Sequence, residues 1–260
     1  MSENRQTIDW SRPWLAPLRP LAPLLAADDL RAALNRTARE RDLRTSTGRP
    51  VRFVAAADAG AGRNARPYES HIAETGRVPT RDDLHDVFNA LVWLTFPLTK
   101  AALNAVQAQV IAREGVRGRR GPVRDAATLI DESGLLLAAA DPRVFGALAA
   151  HDWPRLLVRE RARWGPAILP MAFGHALFEK LVHPFKAITA VVVPLPLAVP
   201  GEGADTRTLD AAAAGFVRDP LLAPRRLLRL PVLGIPGWHE SNADAGFYDD
   251  AAVFRPAPNR

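Results

Sequence analysis

Apolar residues recur with the helical period of about 3.6 in several parts of the chain. The clearest stripe consists of Leu84, Val87, Phe88, Leu91 and Val92. It predicts a helix capped by Thr80, and Pro97 separates this helix from a second one over residues 99–113. Three further helices are predicted, over residues 28–41 with Asp28 as the cap, 170–183 and 206–217.

Short apolar runs mark the predicted strands. Residues 186–193 are the best of them, because β-branched residues are concentrated there, and residues 48–57 predict a short strand. In residues 125–139 two apolar runs flank the sequence Glu132-Ser133-Gly134, which is typical of a turn. This segment therefore predicts a β-hairpin.

The two ends of the chain are rich in proline and lack periodicity. Pro13, Pro17, Pro20 and Pro23 exclude an uninterrupted helix near the start, and residues 230–256 show no regular pattern. No internal repeat and no long linker divides the chain. The prediction is one α+β domain with several helices packed on a small sheet. It comprises an N-terminal arm over residues 1–27, a core over 28–200 and a C-terminal arm over 201–260 that wraps the core.

Composition narrows the class of protein. The 260 residues include no cysteine, which excludes a disulfide framework, a thiolate nucleophile and cysteine-ligated zinc. The net charge is +6, but all except three of the 34 basic residues are arginines, and they are spread along the chain. Since no cluster has an obvious set of stacking aromatic residues, nucleic acid is a possible partner that the sequence does not favour.

Two features of the sequence bear on where in the cell the protein is located. The first ten residues, MSENRQTIDW, are polar and lead into no apolar core, so no secretory signal is expected. Residues 187–199 are the longest apolar stretch, and Pro194 and Pro196 interrupt it. A membrane-spanning helix needs about 20 apolar residues. We therefore expect a cytoplasmic protein without a membrane partner. A protein partner is possible, and the oligomeric state is open.

Five segments together resemble one known family. They are YESHIAETGRVPTRDDLHDVFNALVWLTFPLTKAALNA (68–105), RDAATLIDESG (124–134), GHALFEKL (174–181), LPVLGIPGW (230–238) and FYDDAAVFRP (247–256). In this order they are similar to the proteobacterial family catalogued as domain of unknown function 3025, over residues 10–256. The resemblance implies a soluble, single-domain bacterial protein. It implies no reaction, ligand or catalytic residue.

Polar residues beside the first strong stripe are candidates for catalysis. A rotation of about 100° per residue places His85 and Asn89 on adjacent turns at the edge of the stripe, and Asp86 lies between them. One interpretation is a metal ligand or general base that Asn89 orients. The other is that these three side chains cap or bridge to a neighbouring loop.

A second group lies on the helix predicted over residues 170–183. His175, Glu179 and His183 recur every four residues, and an imidazole and a carboxylate at this spacing are able to bind one cation. The pattern is not HExxH, because Ala176 follows His175. A buried His175 that hydrogen-bonds Glu179 explains the same spacing.

Asp131 and Glu132 end the first apolar run of the predicted hairpin. An aspartate at this point is similar to the strand-borne metal ligand in the first hairpin of RNase H-like nucleases, where magnesium assists phosphoryl transfer. The alternative is that Asp131, Glu132 and Ser133 are ordinary turn residues.

Two functional hypotheses follow. The first is a hydrolase of a phosphate ester or nucleic acid that uses a divalent metal such as Mg²⁺ or Mn²⁺. Its metal ligands are Asp131, His175 and Glu179, its catalytic residues are His85, Asp86, Asn89, Asp131 and Glu132, and its substrate-binding cations are Arg124, Lys100 and Lys180. The second is a non-catalytic binding or scaffold protein, which predicts no polar pocket. The first requires His85, Asp131 and His175 to lie within about 12 Å of one another.

Overall fold

The computed structural model of the chain describes residues 7–59, 67–115, 121–198 and 206–256. Parts of both predicted arms, residues 1–6, 201–205 and 257–260, therefore lie outside the described residues. The strands are β1 (Arg52–Ala55), β2 (Arg77–Thr80), β3 (Gly134–Ala138), β4 (Leu169–Ala172), β5 (Thr189–Leu195) and β6 (Leu228–Pro231). The α-helices are α1 (Leu30–Glu40), α2 (Tyr68–Thr75), α3 (Leu84–Thr95), α4 (Pro97–Glu114), α5 (Pro122–Ser133), α6 (Arg143–Ala149), α7 (His175–Lys180) and α8 (Thr206–Val217).

Strands β3 to β6 form one mixed sheet in the order β4-β3-β5-β6. The two central strands β3 and β5 are parallel, whereas the edge strands β4 and β6 run antiparallel to their neighbours. Every residue of β3 is buried, as expected for a central strand that is covered on both faces. Helices α5 and α8 pack against β5, so the apolar core is built around the two central strands, β3 and β5.

Four helix pairs bring distant parts of the chain together. Helix α2 packs on α4, α3 on α7, α4 on α5, and α5 on α7. A separate two-stranded parallel ribbon, β1 and β2, lies next to α1 and α3. Phe53 of β1 and Val78 of β2 are paired and fully buried, which fixes one face of the ribbon on the core. No helix in the described ranges is long and apolar enough to cross a membrane.

The fold class that the sequence predicts, α+β with helices on a small sheet, is confirmed. The apolar stripe from Leu84 to Val92 lies on α3, and Pro97 begins α4 at the first helical position, where its missing N–H is harmless. Helix α8 has the predicted bounds, and the predicted strand over residues 186–193 overlaps β5.

The predicted hairpin over residues 125–139 is wrong. Residues up to Ser133 form α5, and only the second apolar run forms a strand, β3. Ala126, Ala127 and Ile130 are the buried positions of the first run, and this spacing is helical. Asp131 and Glu132 therefore lie on the last turn of a helix, so the similarity to a strand-borne nuclease aspartate does not hold.

Two predicted caps and one predicted helix also differ from the structure. The side chains of Asp29 and Asp83, and not those of Asp28 and Thr80, cap α1 and α3. The helix predicted over residues 170–183 is β4 followed by the short α7. Because β4 is an edge strand, Pro170 is tolerated there. Strand β6 ends inside residues 230–256, the tail for which the sequence predicts no regular structure.

A close backbone contact joins α5, β3 and α7. The amide groups of Phe173 and Gly174 donate to the carbonyl oxygen of Gly134, at 3.0 and 2.8 Å. A Cβ atom on Gly174 would lie 2.4 Å from the Glu132 carbonyl oxygen, which real side chains do not reach. Glycine at position 174 thus allows the start of α7, and His175 with it, to approach the end of α5.

Candidate functional site

A cavity of about 510 Å³ lies between α2, α3, α4, α5, α7 and the end of the β1–β2 ribbon. Its volume is within the range of small-molecule sites. Titratable and amide side chains are prominent in its wall, among them Glu69, Arg81, His85, Asp86, Asn89, Gln107, Arg124, Asp131, Glu132 and His175. The structure therefore collects most of the predicted site residues around one cavity.

Five side chains from four helices form a polar chain: Glu179, His85, His175, Asp131 and Lys100. Its hydrogen bonds are interrupted between His175 and Asp131, because His175 Nδ1 is buried without a hydrogen-bond partner among the described residues. Glu179 Oε2 lies 2.9 Å from His85 Nδ1, and His85 Nε2 lies 3.1 Å from His175 Nε2. His175 Nδ1 is 3.8 Å from Asp131 Oδ2, and the other carboxylate oxygen accepts a 2.5 Å hydrogen bond from Lys100 Nζ. The chain leads from half-buried Glu179 to buried Lys100.

The two histidines share one proton. Only one of the two facing Nε2 atoms carries a hydrogen in a neutral pair, and the other accepts it. His85 Nδ1 is next to a carboxylate and carries its own hydrogen. The protonated and neutral forms of His85 therefore differ at Nε2, where a general acid or base would gain or lose its proton.

Burial fixes the charge states at the inner end of the polar chain. Burial lowers the pKa of His175 to about 4, against a smaller opposite effect of Asp131, so this ring is neutral at pH 7. For Asp131, burial raises the pKa, but the Lys100 ammonium together with His175 and His85 more than offsets that effect, and the pKa lies below its ordinary value. Asp131 is thus a partly buried carboxylate at the cavity wall, paired with a buried ammonium.

Asn89 and Lys100 support the polar chain from behind. Lys100 is 4% exposed, and its Nζ donates to Asn89 Oδ1 at 2.8 Å. Asn89 Nδ2 in turn donates to the Tyr68 hydroxyl at 3.2 Å. Asn89 therefore orients Lys100, whereas the sequence suggests that it orients His85. Lys100 is predicted to bind substrate, but in the structure its ammonium group forms an ion pair with Asp131.

The sequence analysis missed Glu69, on the first turn of α2. Burial and the negative charge of Asp131 raise the pKa of Glu69 to about 7, although Asn104 hydrogen-bonds it. Asn104 Nδ2 donates to the side chain at 2.7 Å and to the backbone carbonyl of Glu69 at 2.9 Å. A carboxyl group with this pKa is suited to donate a proton at neutral pH. Nothing in the local sequence YESHIAET signals that burial.

The donor set does not fit the predicted divalent metal. Asp131 is paired with the Lys100 ammonium, and that positive charge opposes a cation at the same carboxylate. Glu179 hydrogen-bonds His85, not His175 on its own helix, so it does not complete a ligand pair with His175. Within the described ranges, no three histidine or acidic side chains are arranged to bind a metal ion.

The remaining predicted residues have different surroundings. Asp86 forms a two-pronged ion pair with Arg81, at 2.8 and 3.1 Å, which favours the structural interpretation of this residue. Glu132 lines the cavity and is exposed. Arg124 lines it too, with a buried Nε that has no hydrogen-bond partner. Lys180, predicted to bind substrate, is exposed at the end of α7 and does not line the cavity.

The fold and the cavity define an α+β protein with a polar site made by four helices. The chain belongs to the family described as Protein of unknown function (DUF3025), whose family model matches residues 51–258. The resemblance seen in the sequence is therefore confirmed. No curated protein and no solved structure shows significant similarity to the chain.

Proposed function

We propose that the cavity is the active site of a hydrolase that cleaves phosphate esters by general acid–base catalysis. The observation that supports this most is the hydrogen-bonded series Glu179–His85–His175 in the cavity wall, whose inner ring lies 3.8 Å from the Asp131–Lys100 ion pair. Burying ionisable groups costs folding free energy, so their presence in a cavity wall favours a functional role over a structural one. Groups whose pKa values are shifted by burial and by neighbouring charges, as those of His175, Asp131 and Glu69 are, cluster at functional sites.

In the proposed reaction His85 is the general base. It accepts a proton at Nε2 from a water molecule as the water oxygen attacks phosphorus, after this water has replaced the Nε2–H of His175 as the donor to that nitrogen. Glu179 holds the imidazole through Nδ1 and stabilises the imidazolium that forms. The neutral state of His175 favours this step, because a second positive ring next to His85 would oppose protonation.

Glu69 is the general acid. As the bond between phosphorus and the leaving oxygen breaks, the carboxyl proton passes to that oxygen, and the products are a phosphate and an alcohol. The raised pKa keeps Glu69 about half protonated near pH 7. Arg124 binds the phosphate oxygens, because a guanidinium matches phosphate geometry and its Nε is buried without a partner.

The alternative, a binding or scaffold protein, predicts no polar pocket and an extended apolar surface. The large apolar side chains with the highest exposure in the described residues are Tyr68, Leu98, Phe185 and Leu221. They lie on separate segments of the chain. Scattered apolar residues are normal on a monomer, so they do not favour this alternative.

The direct test is turnover of a panel of phosphate monoesters and diesters by the purified protein in excess EDTA. We expect release of the alcohol from at least one class at a rate above the buffer control. EDTA should not reduce the rate, because no step uses a divalent metal. Activity that appears only with added Mg²⁺ or Mn²⁺ would refute the proposed mechanism, and no release from any ester would refute the proposed function.

A further inference from the structure

A second cavity, of about 440 Å³, lies at the other end of the β1–β2 ribbon. Three arginines line it, Arg49, Arg52 and Arg77. Arg52 and Arg77 are paired across the two strands, so two positive charges lie side by side. Like charges at paired positions repel each other and reduce the stability of a sheet. Arg49 and Arg52 form no ion pair with any described residue.

The outer face of the ribbon connects this second cavity with the first. Phe53 and Val78 point into the core, and side chains alternate along a strand, so Arg52 and Val54, like Arg77 and Pro79, lie on the outer face. Val54 lines the second cavity, whereas Pro79 lines the first. Arg81, at the edge of the first cavity, follows Arg77 by four positions, a distance of about 13 Å along an extended chain.

We infer that the substrate is a single-stranded nucleic acid whose phosphates bind to Arg49, Arg52 and Arg77 while one phosphate lies at Arg124 in the first cavity. This inference rests on the proposed function and names its substrate class. A single phosphate ester needs one anion site. Two arginine-lined sites joined by one strand face fit a polyanion that spans several nucleotides.

The surface between and beside the arginines is better suited to the nucleobases of a nucleic acid than to the side chains of an acidic peptide. The ring of Tyr68 is 44% exposed at the first cavity, and the hydrogen bond from Asn89 holds its hydroxyl. A fixed aromatic ring next to an anion site is a stacking platform for a base. Val54 and Pro79 add apolar surface along the ribbon, and an acidic peptide would leave this surface without a matching group.

The test is equilibrium binding of a fluorescein-labelled oligothymidylate, about twelve nucleotides long, with phosphorothioate linkages that resist hydrolysis. Fluorescence anisotropy is measured in EDTA over a range of salt concentrations. The variant is Arg49→Ala/Arg52→Ala, which removes two exposed side chains. The matched control is Arg225→Ala/Arg229→Ala, which removes the same charge from exposed positions that line neither cavity.

We expect the Arg49→Ala/Arg52→Ala variant to weaken binding about tenfold and to reduce the slope of log K against log salt by about 1.4, the value for two lost phosphate contacts. The control should bind within about twofold of wild type. Equal losses in both variants, or binding of polyglutamate as tight as that of the oligonucleotide, would overturn the inference.

Because the readout is binding, protein that hydrolyses small esters but does not bind the oligonucleotide refutes this inference alone. Protein that binds it but hydrolyses no ester refutes only the proposed function.

Discussion

Replacing His85 with glutamine is expected to lower kcat/KM for phosphate-ester hydrolysis by about 10²- to 10⁴-fold, the usual contribution of a general base. Glutamine keeps polar atoms near Glu179 and His175 but accepts no proton at neutral pH. The change therefore removes the proton transfer and retains the polar character of the position. Steady-state kinetics on the ester that the wild-type protein hydrolyses fastest measures the effect.

His183→Gln is the matched control for this prediction. His183 follows α7, is exposed, and lines neither of the two large cavities. It should retain wild-type kcat/KM, and both variants should unfold at temperatures close to that of the wild-type protein. A His85→Gln protein that is folded and as active as wild type would contradict the assignment of His85 as the base.

The second large effect concerns stability. Asp131→Leu is expected to lower the free energy of unfolding at pH 7 by about 3–5 kcal/mol, because it leaves the Lys100 ammonium buried without its carboxylate. Lys100 is 4% exposed, so water does not replace the lost partner. Urea unfolding followed by circular dichroism measures the change.

The double variant Lys100→Met/Asp131→Leu separates the cost of an unpaired charge from the cost of lost packing. Replacing both members of a buried pair with apolar residues is often close to neutral. We expect the double variant to regain most of the stability that Asp131→Leu loses. If it is as unstable as the single variant, the buried ion pair is not the cause of the loss.

Periodicity made two of the helices around the site, α3 and α4, predictable. The stripe on α3 repeats every three or four residues over a full helix length, and Pro97 marks the start of α4, so both are local signals. His85 was also identifiable because it lies beside this stripe, and His175 because it recurs with Glu179 and His183 every four residues. That the two rings meet at 3.1 Å depends on the packing of α3 on α7, which the sequence does not encode locally.

The hairpin error has a physical cause. Glu132-Ser133-Gly134 is typical of a turn, and the same residues also end a helix and begin a strand. Helix and strand are hard to distinguish in short apolar runs, and tertiary contacts decide. Here the carbonyl of Gly134 accepts two hydrogen bonds from residues 173 and 174, a long-range contact without a local signal.

Sequence analysis could not predict the role of Glu69 or the ion pair between Asp131 and Lys100. The property that makes Glu69 interesting is its raised pKa, and that pKa comes from burial and from Asp131, more than 60 residues away in the sequence. Likewise, Lys100 appeared as a substrate-binding cation because its partner is on another helix. Charge states in a cavity are properties of the folded protein.

The pH dependence of kcat/KM for ester hydrolysis in EDTA tests general acid–base catalysis in this cavity most directly. Glu69 must be protonated to act as the acid, so we predict that kcat/KM falls as the pH rises through about 7. Glu69→Gln should be slower and should lose this decrease. A wild-type rate that is independent of pH between about 5 and 9, or a decrease that persists unchanged in Glu69→Gln, would contradict the account.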